Sequence, residues 1–257
     1  MSARPMMLSL LLAAATGSGC HSVYGPTPVK GDWQVLDTAH YSYHVRPGSF
    51  AQQNLGRLAE VLEDQYEATL RALDIRYAGR VSMFLHDSAA DAGFESGRGG
   101  TAYPDTESVR ATAVPPLNDG LFVLLSHEAN HVIQQNAIGR PGTYFMGEGL
   151  ASAVLSERSH QQGRTYLYDW TARSGAQIPN LSRLIDDDQW TGYDHRTAYD
   201  ASASFLAYLL ETGGPQRVKQ LQPLTSAEFE RRFSEIYGRS LSDAERDWRA
   251  FCAARGR

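Results

Sequence analysis

The sequence feature that most constrains the fold is the pentapeptide His-Glu-Ala-Asn-His at 127–131. Two histidines four positions apart lie one turn apart on one face of a helix, where both imidazoles can reach one metal ion. The glutamate between them is placed to take a proton from a water molecule activated at that metal. Apolar runs at 121–125 and 132–133 flank the motif, and Asn118 or Asp119 can cap its start. The pattern therefore predicts a buried helix of about five turns that carries a polar stripe; the alternative is a helix with two surface histidines.

A third metal ligand is needed, because a catalytic zinc ion usually takes three protein ligands and leaves one position for water. The next candidate is Glu148, which follows His131 by seventeen positions across a glycine- and proline-containing turn. A helix that begins near Gly147 would present Glu148 to the metal. The alternative is that Glu148 is an ordinary acidic residue in the first turn of a helix, where the macrodipole favours it.

This arrangement resembles the gluzincin zinc metallopeptidases, and most closely their peptidase MA-like group. The resemblance rests on the metal-binding helix followed by Glu-Gly-Leu-Ala at 148–151. It implies that His127, His131 and Glu148 bind Zn²⁺. It also implies that Glu128 is the general base. The fold it implies is a zincin-like α+β fold, in which a small β-containing N-terminal lobe and a mainly helical C-terminal lobe surround a zinc cleft.

A second stretch, 198–214, resembles the helix that carries the catalytic tyrosine in aminopeptidase-N-like enzymes. Tyr199 falls on the tyrosine position. A phenol can donate a hydrogen bond to the oxyanion that forms when water attacks a carbonyl group. Tyr193 and His195 lie just upstream and stay open as alternatives, since a histidine can serve the same purpose. The simpler interpretation is that Tyr199 only packs.

One element of the aminopeptidases is missing from this sequence. Those enzymes carry Gly-x-Met-Glu-Asn before the zinc helix, and its glutamate binds the free amine of the substrate. The comparable region here, 97–103, reads Gly-Arg-Gly-Gly-Thr-Ala-Tyr and contains no glutamate. Endopeptidase action is therefore favoured over aminopeptidase action. The stretch 108–114 could be an edge strand, either an ordinary one or one that holds a substrate backbone by β-augmentation.

The N-terminus predicts export from the cytoplasm. Arg4 precedes an apolar run at 6–15 that is too short to span a bilayer and has the length of a signal-peptide core. The sequence Thr-Gly-Ser-Gly-Cys at 16–20 resembles a bacterial lipobox, which implies that residues 1–19 are removed and that Cys20 is lipidated. The protein would then be an envelope lipoprotein on the periplasmic side, held at the membrane by its N-terminal lipid anchor.

Ordinary signal cleavage is the alternative to lipidation. It would leave Cys20 free to form a disulfide with Cys252, the second of the two cysteines, in an oxidising compartment. Lipidation of Cys20 would leave Cys252 as a small buried residue. Composition adds an exclusion: the chain carries 24 basic and 29 acidic residues without a basic run, so nucleic-acid binding is not indicated.

The remaining sequence predicts one catalytic domain at 33–257 after a tether at 20–32. Alternating and helical periodicity divide it into a β-containing lobe at 33–117 and a helical lobe at 118–257. One or two strands are predicted within 33–45 and one strand at 80–85, and helices are predicted at 50–73, 215–221, 226–237 and 241–255. The acidic run 186–188 predicts a helix cap or a solvated loop in preference to a calcium site.

The function that these features favour is a zinc-dependent hydrolase that cleaves peptide bonds of a peptide or protein substrate in the cell envelope. One alternative is a catalytically inactive, metal-binding envelope lipoprotein on a peptidase-like fold. Glu128 argues against it, because the ligands alone would suffice to hold a structural metal. A purely structural domain without metal is the third possibility, and it predicts no response to a chelator.

Overall fold

A computed structural model describes residues 32–95, 99–160 and 163–255. They form a mixed α+β fold, which confirms the α+β class that was predicted. The predicted signal peptide at 1–19 and the predicted lipidation site Cys20 lie outside these residues and stay predictions. Along the described part of the chain, no helix combines the length and the apolar character that crossing a membrane requires.

The described residues contain one five-stranded sheet. Its strands are β1 (Gln34–Asp37), β2 (Tyr41–Val45), β3 (Val81–His86), β4 (Gly100–Tyr103) and β5 (Ser108–Thr112). They are ordered β1-β2-β3-β5-β4 in space. The three central strands run parallel, whereas β1 and β4 pair antiparallel at the two edges. Of the one or two strands predicted within 33–45 the structure has two, and the strand predicted at 80–85 is confirmed to within one residue.

The prediction that 108–114 forms an edge strand is wrong. β5 lies between β3 and β4, so both of its sides are paired. The chain reaches β5 from β4 through a short 3-10 helix at Pro104–Thr106, after which Glu107 adopts the left-handed conformation with φ 46°. This short connection folds β4 back along the outer side of β5. The edge strand on this side of the sheet is therefore β4.

Helices make up most of the remaining fold. They are α1 (Phe50–Gln53), α2 (Leu55–Leu73), α3 (Asp119–Ala137), α4 (Tyr144–Ala153), α5 (Gly163–Ser174), α6 (Leu181–Ile185), α7 (Asp187–Trp190), α8 (His195–Gly213), α9 (Pro215–Leu221), α10 (Ser226–Tyr237) and α11 (Leu241–Arg255). The predicted helix at 50–73 is divided at Asn54, whose backbone leaves the helical region at φ −111° and ψ 10°. The last three predicted helices are confirmed.

The first hydrophobic core lies between the sheet and two helices. Alternation along the strands turns Tyr41, Tyr43 and Val45 of β2 to one face of the sheet, where all three are buried. Leu58 and Leu62 of α2 pack there, as do four buried residues of α3: Leu125, Ala129, Val132 and Ile133. The apolar side of α3 therefore belongs to the core of the sheet.

The second hydrophobic core is built mainly from helices. It includes Phe145 and Leu150 of α4, Phe205 of α8 and Trp248 of α11, all buried. Cys252 is also buried in this core, which confirms its prediction as a small buried residue. Because α3 packs on the sheet and α4 packs in the helical core, the contact between α3 and α4 lies at the border of the two cores. The three predicted metal ligands meet at this border.

Candidate metal centre

The three predicted metal ligands lie together between α3 and α4. Nε2 of His127 is 3.0 Å from Nε2 of His131 and 3.0 Å from Oε2 of Glu148. Nε2 of His131 is 3.3 Å from the same oxygen. A tetrahedral zinc site with bonds of about 2.0–2.1 Å has donor–donor edges of roughly 3.3 Å. The three donors are thus close enough to bind one metal ion, and no other group of this kind occurs in the described ranges.

Local sequence explains how both helices reach this geometry. The Asn118 side chain accepts a hydrogen bond from the Leu121 N–H and begins α3, as predicted. Thr143 begins α4 in the same way by accepting from the Met146 N–H, three residues earlier than predicted. Glu148 therefore lies in the second turn of α4. The alternative of a first-turn residue favoured by the macrodipole is wrong.

A hydrogen bond to Ser152 holds the ring of the first histidine. Oγ of Ser152 is 3.0 Å from Nδ1 of His127, the nitrogen that points away from Glu148. Ser152 lies four residues after Glu148 and therefore on the same face of α4. Outer partners of this kind fix the orientation of metal-binding histidines and raise their affinity.

A buried polar network holds α3 and α4 in register. Nδ2 of Asn130 donates to the Ala151 carbonyl at 2.7 Å, and its Oδ1 accepts from Thr69 of α2 at 2.7 Å. Gln134, one turn further along α3, donates to the Leu150 carbonyl at 3.3 Å. Both carbonyls lie two to three residues after Glu148. The network therefore fixes where α4 presents its carboxylate to the two histidines.

Gln65 of α2 is the centre of the same network and is fully buried. Its Nε2 donates to the Val154 carbonyl and to Thr69, each at 2.9 Å. Its Oε1 accepts from the Ser156 N–H at 2.7 Å and from Ser159 Oγ at 2.8 Å. One side chain thus holds the segment that directly follows α4.

The charges at the site favour an ionised carboxylate. Burial of Glu148 acts to raise its pKa, but His131 and His127 outweigh burial and hold the pKa well below its ordinary value. Burial of His131 acts to lower its pKa, yet Glu148, with a smaller contribution from Glu128, raises the pKa above its ordinary value. A buried anionic oxygen beside two imidazoles is a donor set that suits a divalent transition metal.

Glu128, the predicted general base, lies beside both the three predicted metal ligands and the edge of the sheet. Glu128 is close enough to His131 to contribute to its raised pKa. Its side chain also lies against β4: a Cβ placed on Gly100 would come within 2.8 Å of Glu128 Cγ and 3.1 Å of Oε1. The carboxylate therefore lies beside the strand along which a second chain could pair.

The predicted oxyanion-stabilising tyrosine lies beside the first histidine. The ring centroid of Tyr199 is 6.0 Å from that of His127, and the His195 ring stacks on the Tyr199 ring with its centroid 3.8 Å away. Burial and the nearby His127 lower the pKa of His195. Tyr193 packs against the helical core. Of the three candidates, Tyr199 thus contacts the ring of a predicted metal ligand, and His195 is connected to that ligand through Tyr199.

The packing of α8 on α4 brings Tyr199 to this position. A Cβ on Gly149 would lie 2.7 Å from Ser202 Cβ and 3.0 Å from the Ser202 backbone. Only a glycine next to Glu148 permits this close approach. The acidic run 186–188 caps a helix. Asp186 accepts hydrogen bonds from two N–H groups at the start of α7, which confirms the helix-cap prediction.

Sequence reasoning did not identify Ser152, Gln65, Asn130 or Gly100. Ser152 had a signal, since a residue four positions after a ligand on a helix shares its face. Gln65 also had one, because it interrupts the apolar stripe of α2 at a buried position. Gly100 had no local signal. Its neighbour Glu128 is 28 positions away and meets it only through the fold.

Comparisons with known proteins leave the site as the basis for a functional argument. No protein-family model matches the chain, and no curated protein matches it. The proposal below therefore rests on the chemistry and the geometry of the residues described above.

Proposed function

We propose that this protein is a zinc-dependent hydrolase that cleaves peptide bonds, with endopeptidase action favoured. One observation carries the proposal: His127, His131 and Glu148 place two imidazole nitrogens and one carboxylate oxygen within 4.8 Å of one another. Three protein donors are the number that catalytic zinc sites use, whereas structural zinc sites usually have four. A general base, Glu128, adjoins this group and would have no purpose in a structural site.

The donor set fits zinc. Nitrogen and carboxylate oxygen ligands of this kind bind zinc in hydrolases, and the separations of 3.0–3.3 Å match one face of a zinc tetrahedron. A bound zinc ion would supply Lewis acidity to a carbonyl group and would lower the pKa of a water molecule. The same donors also occur in non-haem iron oxygenases, so the identity of the metal is part of the test.

Glu128 would move the proton in the proposed reaction. Its carboxylate would accept a proton from the attacking water and donate it to the leaving amine as the peptide bond breaks. Its position beside β4 supports this role, because a peptide paired along the strand would run past the carboxylate.

Tyr199 would stabilise the oxyanion. The phenol can donate a hydrogen bond to the negative charge that develops on the carbonyl oxygen. His195 stacks on Tyr199 and would support its ring. The loss of one donor of this type costs about 10²–10³-fold in kcat, so Tyr199→Phe and His195→Ala separate the two candidates by which of them shows that loss.

The edge strand supports a peptide substrate. β4 lies at the end of the sheet, with β5 on one side. Its outer side presents backbone N–H and C=O groups with which an extended peptide can pair in β-augmentation. A pairing of this kind recognises the backbone within a chain and needs no free terminus. It therefore supports endopeptidase action.

We further propose, from the sequence alone, that the protein acts in the cell envelope as a lipoprotein anchored through Cys20. Globomycin, which inhibits lipoprotein signal cleavage, tests this separately from the enzyme proposal. Retention of the precursor length in treated bacterial cells is expected. Normal processing with a free Cys20 thiol or a disulfide to Cys252 would contradict lipidation.

Elemental analysis of the purified protein tests the enzyme proposal. About one zinc per chain is expected for wild type, with loss of the metal in His131→Ala and in Glu148→Ala. A quenched fluorescent peptide library should be cleaved by wild type and not by Glu128→Gln, which should keep its zinc. Zinc without turnover would favour the inactive metal-binding lipoprotein, and stoichiometric iron would favour an oxygenase.

A further inference from the structure

We infer that Gly100 is a positioning residue for Glu128: the missing side chain at this point of the edge strand leaves the space that the carboxylate of the base occupies. The functional part of this inference rests on the proposed hydrolase function. The steric part does not, because it concerns only the contact between β4 and α3.

The required space is measured by what a side chain at position 100 would meet. A Cβ there would lie 2.8 Å from Cγ, 3.2 Å from Cδ and 3.1 Å from Oε1 of Glu128. Non-bonded carbon atoms make favourable contact at about 3.5–4.0 Å. Even the smallest side chain would therefore force the Glu128 side chain to shift, because its Cγ and Cδ both lie inside that distance.

Backbone conformation gives no reason for a glycine here. Gly100 is the first residue of β4, pairs with Ala111 of β5, and is not among the described glycines with positive φ. Any residue could adopt this backbone, and glycine weakens a strand relative to other residues. The glycine is thus explained by its neighbour on α3.

The residue before it provides a matched comparison. A Cβ on Gly99 would meet Leu124, one turn before Glu128 on α3, with Cδ2 at 3.0 Å. This contact is with the end of a flexible side chain that can rotate away. Two successive glycines thus face two successive turns of the metal-binding helix. Only Gly100 faces a side chain with a proposed chemical role.

The expected consequence of Gly100→Ala is a displaced base in an otherwise intact site. The three heavy atoms nearest to the new Cβ, at 2.8–3.2 Å, all belong to Glu128 and none to His127, His131 or Glu148, so zinc content should stay at the wild-type value. A displacement of about 1 Å can lower a rate by about 10²-fold. We expect a fall of that size in kcat, with KM changed less than about threefold since the strand edge remains.

The test is a double-mutant cycle with two readouts, melting temperature and turnover. Gly100→Ala and Gly99→Ala are made in wild type and in Glu128→Ala, all as full chains. The substrate is the peptide of the quenched fluorescent library that wild type cleaves fastest. In wild type we expect Gly100→Ala to lower the melting temperature by about 3–8 °C, as overpacking does. In Glu128→Ala the same change should raise it by about 1–3 °C, because alanine restricts the unfolded chain. Gly99→Ala should show no such dependence on background.

Each outcome decides one part of the inference. Equal shifts in melting temperature in the two backgrounds would show that position 100 does not meet Glu128, and the inference would be overturned. A background-dependent shift with unchanged kcat and KM would keep the contact and refute the positioning role. Failure of wild type to cleave any peptide would refute the proposed function, while the temperature cycle would still decide the steric part.

Discussion

Replacement of Gln65 by leucine tests whether the buried network positions the metal ligands. Leucine is close to glutamine in size, so the change removes hydrogen bonds with little change in packing. Among the bonds lost, Gln65 donates one to the Val154 carbonyl and accepts two, from the Ser156 N–H and from Ser159 Oγ. These groups follow α4 directly, and α4 carries Glu148. The substitution is therefore expected to affect both stability and metal binding.

The magnitude follows from the groups that lose their partner. Ser159 Oγ keeps Ser126 Oγ at 2.9 Å, and Thr69 keeps the Asn130 side chain at 2.7 Å. The Val154 carbonyl and the Ser156 N–H are left, at about 1–3 kcal/mol for each unsatisfied buried group. A more apolar side chain offsets part of that cost. We expect Gln65→Leu to lower the free energy of unfolding by about 3 kcal/mol.

The assay separates stability from positioning. Urea unfolding of the metal-free protein measures the first, and zinc affinity by competition with a chromophoric chelator measures the second. We expect zinc affinity to fall about tenfold, as it does when outer partners of a metal site are lost. Gln220→Leu, at an exposed position on α9, is the matched control and should change stability by less than about 0.5 kcal/mol. Lower stability with wild-type zinc affinity would refute the positioning argument.

Three further predictions concern the same site and the helix α8 that packs beside it. Ser152→Ala removes the hydrogen bond to His127 and should weaken zinc binding at least about tenfold in the chelator assay. Gly149→Ala places a Cβ against the backbone of α8 and should cost about 3 kcal/mol in urea unfolding, whereas Gly56→Ala, which meets nothing within 4 Å, should stabilise α2 by up to about 1 kcal/mol. Burial raises the pKa of Asp200 to about 6 from 3.8. The protonated carboxyl group thus contributes stability that is present at acid pH and is lost as pH rises through 6. The difference in unfolding free energy between wild type and Asp200→Asn should therefore change by about 2 kcal/mol between pH 4.5 and 7.5. A difference that stays constant with pH would contradict the raised pKa of Asp200.

Most of the site could be predicted from the sequence because its spacing is local. His127 and His131 share a helix face at i and i+4, and the structure brings Glu148 to them across a short turn. The cap of α3 is also local, and Asn118 was one of the two residues predicted for it. The predicted edge strand was wrong for the opposite reason. Strand order is decided by how a hairpin folds back in space, and a left-handed residue such as Glu107 leaves little trace in the pattern of apolar residues.

The two positions between Glu128 and His131 give the strongest argument that the motif at 127–131 did not arise by chance. Ala129 is fully buried in the sheet core, where a larger side chain would push α3 away from the strands. Asn130 is fully buried and joins α2 to α4 through Thr69 and the Ala151 carbonyl. His127 and His131 face Glu148, and Glu128 faces β4. The five side chains of the motif thus meet Glu148, the edge strand, the core of the sheet and the network between α2 and α4. A coincidental match would place two histidines and a glutamate on a helix. It would not also supply the carboxylate of Glu148 opposite the histidines, Ser152 as a hydrogen-bond partner for Nδ1 of His127, and a glycine on β4 where Glu128 lies.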